Sequence, residues 1–115
     1  MTWRETAIGL VRRLTSVAGA ERPLRATELR VAADVDGALL SSAAALRRLG
    51  ATITRYEVEA GRLEARARRD DGGGSIRLSV TGQGDSVVRM RIESDVVGAR
   101  RLFRRFKREL GRKGQ

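Results

Sequence analysis

Apolar residues at the start of the chain recur with the spacing of an α-helix. Thr2 followed by Glu5 has the form of a capping box, so the pattern predicts a helix opening at Trp3. Trp3, Ala7, Leu10, Val11, Leu14, Val17 and Ala18 then fall on one stripe. The stretch GAERPLRA ends it, because Pro23 has no amide hydrogen and biases Arg22 away from helix. In ELRVAAD the period changes: Leu29, Val31 and Ala33 alternate as in a half-buried strand. Asp34 or Asp36 can cap a second helix through GALLSSAAALRRLG, where Leu39, Ala43, Leu46 and Leu49 recur at helical spacing. Gly50 then supplies its left-handed C-terminal cap.

Beyond Gly50 the period is two. TITRYEVEAG and RLEARARRD meet at Ala60, Gly61 and Arg62; SIRLSVTGQG and SVVRMRIES meet around Gly82 to Asp85; DDGGG joins the two hairpins. One face collects Tyr56, Val58, Leu63, Ala65, Ala67, Ile76, Leu78, Val80, Val88, Met90 and Ile92. The other collects Glu57, Glu59, Glu64, Arg66, Arg68, Arg77, Arg89, Arg91 and Glu93, a mixture of signs suited to a solvated sheet face. A last helix carries Ala99, Leu102, Phe103, Phe106 and Leu110 on one stripe.

The pattern predicts an α+β fold: a curved antiparallel sheet of about five strands, in the order β-α-β-β-β-β-α, with helices on one face and an extra N-terminal amphipathic helix before it. Residues 1–24 form that helix and a linker, and residues 25–115 form one domain ending in a basic helix. Five strands at ~4.8 Å make a sheet ~24 Å wide, and a helix covers ~10 Å. Two helices therefore cover one face, and the third must find another apolar surface.

Composition narrows the chemistry. Among the 115 residues there is no Cys and no His, which removes disulfides, thiolate nucleophiles, Ser-His-Asp machinery and almost every zinc or iron site. No set of carboxylates, tyrosine and lysines forms a recognisable acid–base arrangement. The expectation is a protein that is not an enzyme, with no cofactor, no metal and no small-molecule substrate. No run approaches the ~18 apolar residues of a membrane span, and the first residues lack the pattern of a signal peptide, so the expected location is the cytoplasm. TGQGDS contains Gly-x-Gly, but between two strands it reads as a hairpin turn. RRDDGGGS lacks the alternating ligands of a calcium loop.

Charge is concentrated at one end. The net charge is +10, of which residues 99–115 contribute +7, with eight basic side chains against Glu109 alone. Arg100, Arg101, Arg104, Arg105, Lys107, Arg108 and Arg112 surround the apolar stripe of the last helix, and Lys113 follows. These eight residues are the candidates for binding a polyanion. An acidic partner is expected, nucleic acid being the commonest, held through phosphates without a sequence code. None of the four aromatics interleaves with the basic surface, so stacking on single strands is not expected. A different class of reading makes Trp3, Ala7, Leu10, Val11, Leu14 and Val17 a protein interface, in a homodimer or larger complex. A third lays the last helix, through Phe103 and Phe106, on an anionic membrane surface.

The stretch DVDGALLSSAAALRRLGATITRYEVEAGRLEA resembles a pattern in small bacterial domains of largely unknown function, carried by Leu46, Leu49, Gly50, Ile53, Gly61, Leu63 and Ala65. In these an extended segment and a helix ending in Leu-Gly precede a strand pair joined near Gly. They are similar to domains of envelope lipoproteins, including repeats of the outer-membrane assembly lipoprotein BamC. The resemblance implies a strand-helix-four-strand-helix domain over about residues 29–93. The chain lacks the lipidated cysteine of those lipoproteins. The same order of elements is similar to one half of the TATA-binding-protein fold, a likeness of topology alone.

Overall fold

The computed structural model describes residues 23–68 and 72–112. The helix expected from Trp3 to Ala18, and with it the interface candidates Trp3, Ala7, Leu10, Val11, Leu14 and Val17, lies outside the described residues, as does Lys113. The described elements run β1 (Arg25–Ala32), α1 (Val35–Arg48), β2 (Thr52–Glu57), β3 (Arg62–Arg66), β4 (Ser75–Gly82), β5 (Val87–Ser94) and α2 (Ala99–Arg112). They build an open five-stranded antiparallel sheet in the order β1-β5-β4-β3-β2. From β1 on one edge the chain crosses the sheet through α1 to β2 on the opposite edge, and returns strand by strand until β5 lies beside β1.

Local chemistry sets the ends of α1. Asp34 is its N-cap, and the carboxylate accepts the Gly37 N–H at 2.7 Å, satisfying one of the amides that a helix start leaves without an acceptor. At the other end Gly50 adopts φ 88°, Ala51 N–H donates to Leu46 O at 2.9 Å, and Gly50 N–H donates to Arg47 O at 2.9 Å. This is the Schellman arrangement, which needs a residue at ease with positive φ. A second reason holds glycine there: a Cβ at Gly50 would overlap the side-chain stem of Arg68.

Both helices lie on one face of the sheet. α1 packs over β2, β3 and β4, while α2 packs against α1 and reaches β1. Between them and the sheet sits one core, with Leu39, Leu46, Leu63, Ile76, Met90, Ile92 and Phe106 fully buried. Each such side chain contributes about 1.5–3 kcal/mol of transfer free energy. Two buried serines have partners: Ser94 Oγ donates to Ser75 O at 2.8 Å and accepts from Val96 N–H at 3.1 Å, and Ser42 Oγ lies 3.5 Å from Met90 Sδ. Ser94 thereby ties the end of β5 to the start of β4.

Three details differ from the expectation. β1 begins at Arg25, before the alternating stretch, because residues 25–32 pair in unbroken register with β5, from Arg25 opposite Ser94 to Ala32 opposite Val87. Val58, placed by alternation on the apolar face, lies beyond the end of β2 in the turn to β3 and is exposed. Ile53 faces the core although it is out of phase with Tyr56. The β2–β3 register slips between Ile53 and Arg55, so Thr54 is an extra residue, and Ile53 opposite Ala65 and Tyr56 opposite Leu63 both reach the helix-covered side. Tyr56 itself, on edge strand β2, is 37% exposed and marks where the core ends.

Candidate polyanion-binding face

The sheet has a second face, which carries no helix among the described residues, and its charges interleave. Across the strands the register aligns Arg55, Glu64, Arg77 and Glu93 in one row. The next row runs Glu57, Arg62, Ser79, Arg91, Glu28. Arg91 bridges to Glu28 at 3.3 Å and Glu93 at 3.9 Å, and Arg55 to Glu57 at 3.7 Å. These pairs are half exposed and each contributes at most about 1 kcal/mol, and Glu64 and Glu93 flank Arg77 across the strands, so acids stand among the cations of this face.

α2 is organised differently. Its apolar stripe is consumed by the core: Ala99, Phe103 and Phe106 are buried and Leu102 and Leu110 half-buried. That orientation sends Arg100, Arg101, Arg104, Arg105, Lys107 and Arg108 outward, all exposed. At 100° per residue they form two stripes, Arg100-Arg104-Lys107 and Arg101-Arg105-Arg108. Arg112 lies in the last turn of the helix. The helix's single acid, Glu109, is turned away from them and held by α1. Arg48 Nε donates to Glu109 Oε1 at 2.6 Å, and Arg48 Nη2 to Glu109 O, a carbonyl in the last turn, at 3.1 Å.

Among the described residues, none of the six outward cations has an acidic partner. The helix bears a cost for this. Six like-charge pairs stand at i,i+3 or i,i+4 between Arg100 and Arg108, a repulsion of roughly 1–3 kcal/mol in total at low salt. The macrodipole gives no general relief: Arg100 and Arg101 occupy the first turn, where the positive helix end disfavours cations, and no acid stands beside them there. A structural reason for cations near the helix C-terminus therefore reaches Arg112 but not the first two turns.

Two arginines distant in sequence extend this surface. Arg25, at the start of β1, lines a groove with Arg100, Arg104, Lys107 and the edge of Phe103, a space of about 490 Å³. Arg68 stands on the other flank, beside Arg101 and Arg105. Sequence reading missed Arg25 and placed Arg68 on the solvated sheet face; Arg68 lies past the end of β3, where alternation no longer holds, and its side chain turns to Gly50 and α2. Phe103 and Phe106 are 6% and 0% exposed, so among the described residues the face has no aromatic platform for a base. Among the described residues no three carboxylates converge on a point that could hold a metal ion.

Fold and face together define a class: an α+β protein with an open antiparallel sheet, whose helix layer presents an unneutralised cationic surface. No protein-family model matches the chain, and a search of the curated proteins finds no match to it.

Proposed function

We propose that this protein is a non-catalytic binding or accessory protein that docks a polyanion on the outer face of α2, with nucleic acid the favoured partner. The observation that carries this reading is the set of six exposed cations on α2 without an acidic partner among the described residues, held on a helix whose opposite stripe is locked in the core. Guanidinium suits the bidentate recognition of phosphate, and a helix presents its cations at fixed intervals. The contacts address the phosphate backbone, so binding is indifferent to sequence and dominated by counterion release.

The same geometry argues against laying α2 on a lipid surface. Phe103 and Phe106 would have to leave the core to enter a headgroup layer, uncovering the β1 side of the sheet. No described helix is long and apolar enough to cross a membrane. Titration of a labelled duplex by fluorescence anisotropy at several salt concentrations tests the proposal. Six phosphate contacts give a log–log slope of roughly −5. A slope near zero, or no binding at low salt, would overturn it.

A further inference from the structure

We propose that a hollow at the junction of the two helices binds a small organic anion with an apolar body, of the chemistry of a medium-chain carboxylate. The hollow measures about 330 Å³, within the size range of small-molecule sites. Its floor is apolar and belongs to the core: Leu49 and Ala51 after α1, Ala67 after β3, Ile76 on β4 and Val96 before α2, none more than 9% exposed. The space exists because alanines stand at positions 51 and 67, continuing faces on which the neighbouring strands carry Leu63, Ile76 and Leu78.

The mouth has the opposite character. Arg101 and Arg105, one turn apart on α2, stand at its rim without an acidic partner among the described residues. α2 begins beside it at Gly98, which has no side chain to cap the helix, and no acid occupies the first turn. An apolar floor under the adjacent guanidinium groups of Arg101 and Arg105, with Arg68 also on the lining, is complementary to a molecule with one anionic end and one apolar end. A carboxylate accepts from both arginines while its chain displaces water from the alanine-lined floor. A bare phosphate leaves the floor unfilled, and a neutral apolar molecule gains nothing from the rim. This site is separate from the groove on the Arg25 side and does not depend on polyanion docking.

The test is a methyl and amide NMR titration of the full chain with octanoate below its micelle concentration, and with octanol as the length-matched neutral probe. Octanoate is expected to give saturable shifts confined to Ala51, Ala67, Ile76, Val96 and the start of α2, with an affinity at least tenfold above that of octanol. Arg101→Gln with Arg105→Gln, both exposed positions, should bring octanoate to the level of octanol while leaving the spectrum otherwise folded. Ala67→Leu should remove binding of both probes. Equal affinity for the two probes, an unchanged octanoate affinity in the double variant, or no saturable shift at the floor residues would each overturn the proposal. The titration contains no nucleic acid, so a failure of polyanion docking does not bear on it.

Discussion

The sheet face opposite α1 and α2 and the outer face of α2 are both rich in arginine, and they differ in where the acids stand. On the sheet, Glu64, Glu93, Glu28 and Glu57 alternate with arginines across the strands, and three ion pairs under 4 Å form there. On α2 the one acid is drawn inward to Arg48, and six cations are left facing solvent and one another. A count of charges therefore does not make a binding surface; their register against opposite charges decides. A row with acids in register offers a polyanion little, since a phosphate brought to its cations also meets the neighbouring carboxylates. An unneutralised stripe gains both the new contact and relief of its own repulsion.

The sharpest way to break this comparison is to remove equal charge from each face. Replacing Arg100, Arg101, Arg104 and Arg105 by Gln should weaken duplex binding by roughly a thousandfold at low salt and flatten the salt slope by about four. Replacing Arg62, Arg77, Arg89 and Arg91 by Gln changes net charge by the same amount and should leave affinity within about threefold, through the long-range field alone. Similar losses from both quadruple variants, measured by anisotropy, would mean that net charge and not placement governs binding.

A gain-of-function variant sharpens the same point with a smaller effect. Glu64→Gln with Glu93→Gln empties the central row of its acids and leaves Arg77 between neutral cross-strand neighbours, while Arg55 keeps its pair with Glu57. Built into the α2 quadruple variant, this pair should restore salt-dependent binding by about tenfold. No recovery would show that the sheet's curvature or its position, and not its acids, keeps it from binding. Smaller again is the expected effect of octanoate, which by occupying Arg101 and Arg105 should weaken duplex binding about threefold. An unchanged duplex affinity under saturating octanoate would separate the two sites completely.

How far this was legible in the sequence follows the range of each interaction. Asp34 and Gly50 announce the ends of α1 because caps act within four residues, and α2's two sides separate because its period is local. The bulge at Thr54 was hidden: alternation in β2 alone puts Ile53 and Tyr56 on opposite faces, and only the register against β3 reconciles them. The partnership of Arg48 with Glu109 joins residues 61 apart, and Arg25 and Arg68 reach α2 through the sheet. These are tertiary facts without a local signal. They are also what turns a basic helix into a face with defined flanks, so the candidate residues were readable and their neutralisation was not.

The rule also applies to its own exception on the sheet. Arg30 on β1 stands directly opposite Arg89 on β5, and Thr81 completes the row, so this end of the sheet has no acid in register. Like charges directly opposite across an antiparallel pair are destabilising, and opposite charges contribute roughly 0.2–1 kcal/mol. Arg89→Glu should therefore raise stability by up to about 1 kcal/mol, read as a shift in the urea midpoint at constant slope, and the gain should fade as salt is raised. Arg89→Gln separates the two parts of that gain, because it removes the repulsion without adding an attraction and should stabilise less. The same substitutions leave duplex binding nearly untouched, since the paired edge of the sheet and the open face of α2 are different surfaces. If Arg89→Glu instead destabilised the fold, the side chains of Arg30 and Arg89 would be splayed apart in solution. Opposition in register would then be too coarse a measure of which charges on this molecule are neutralised.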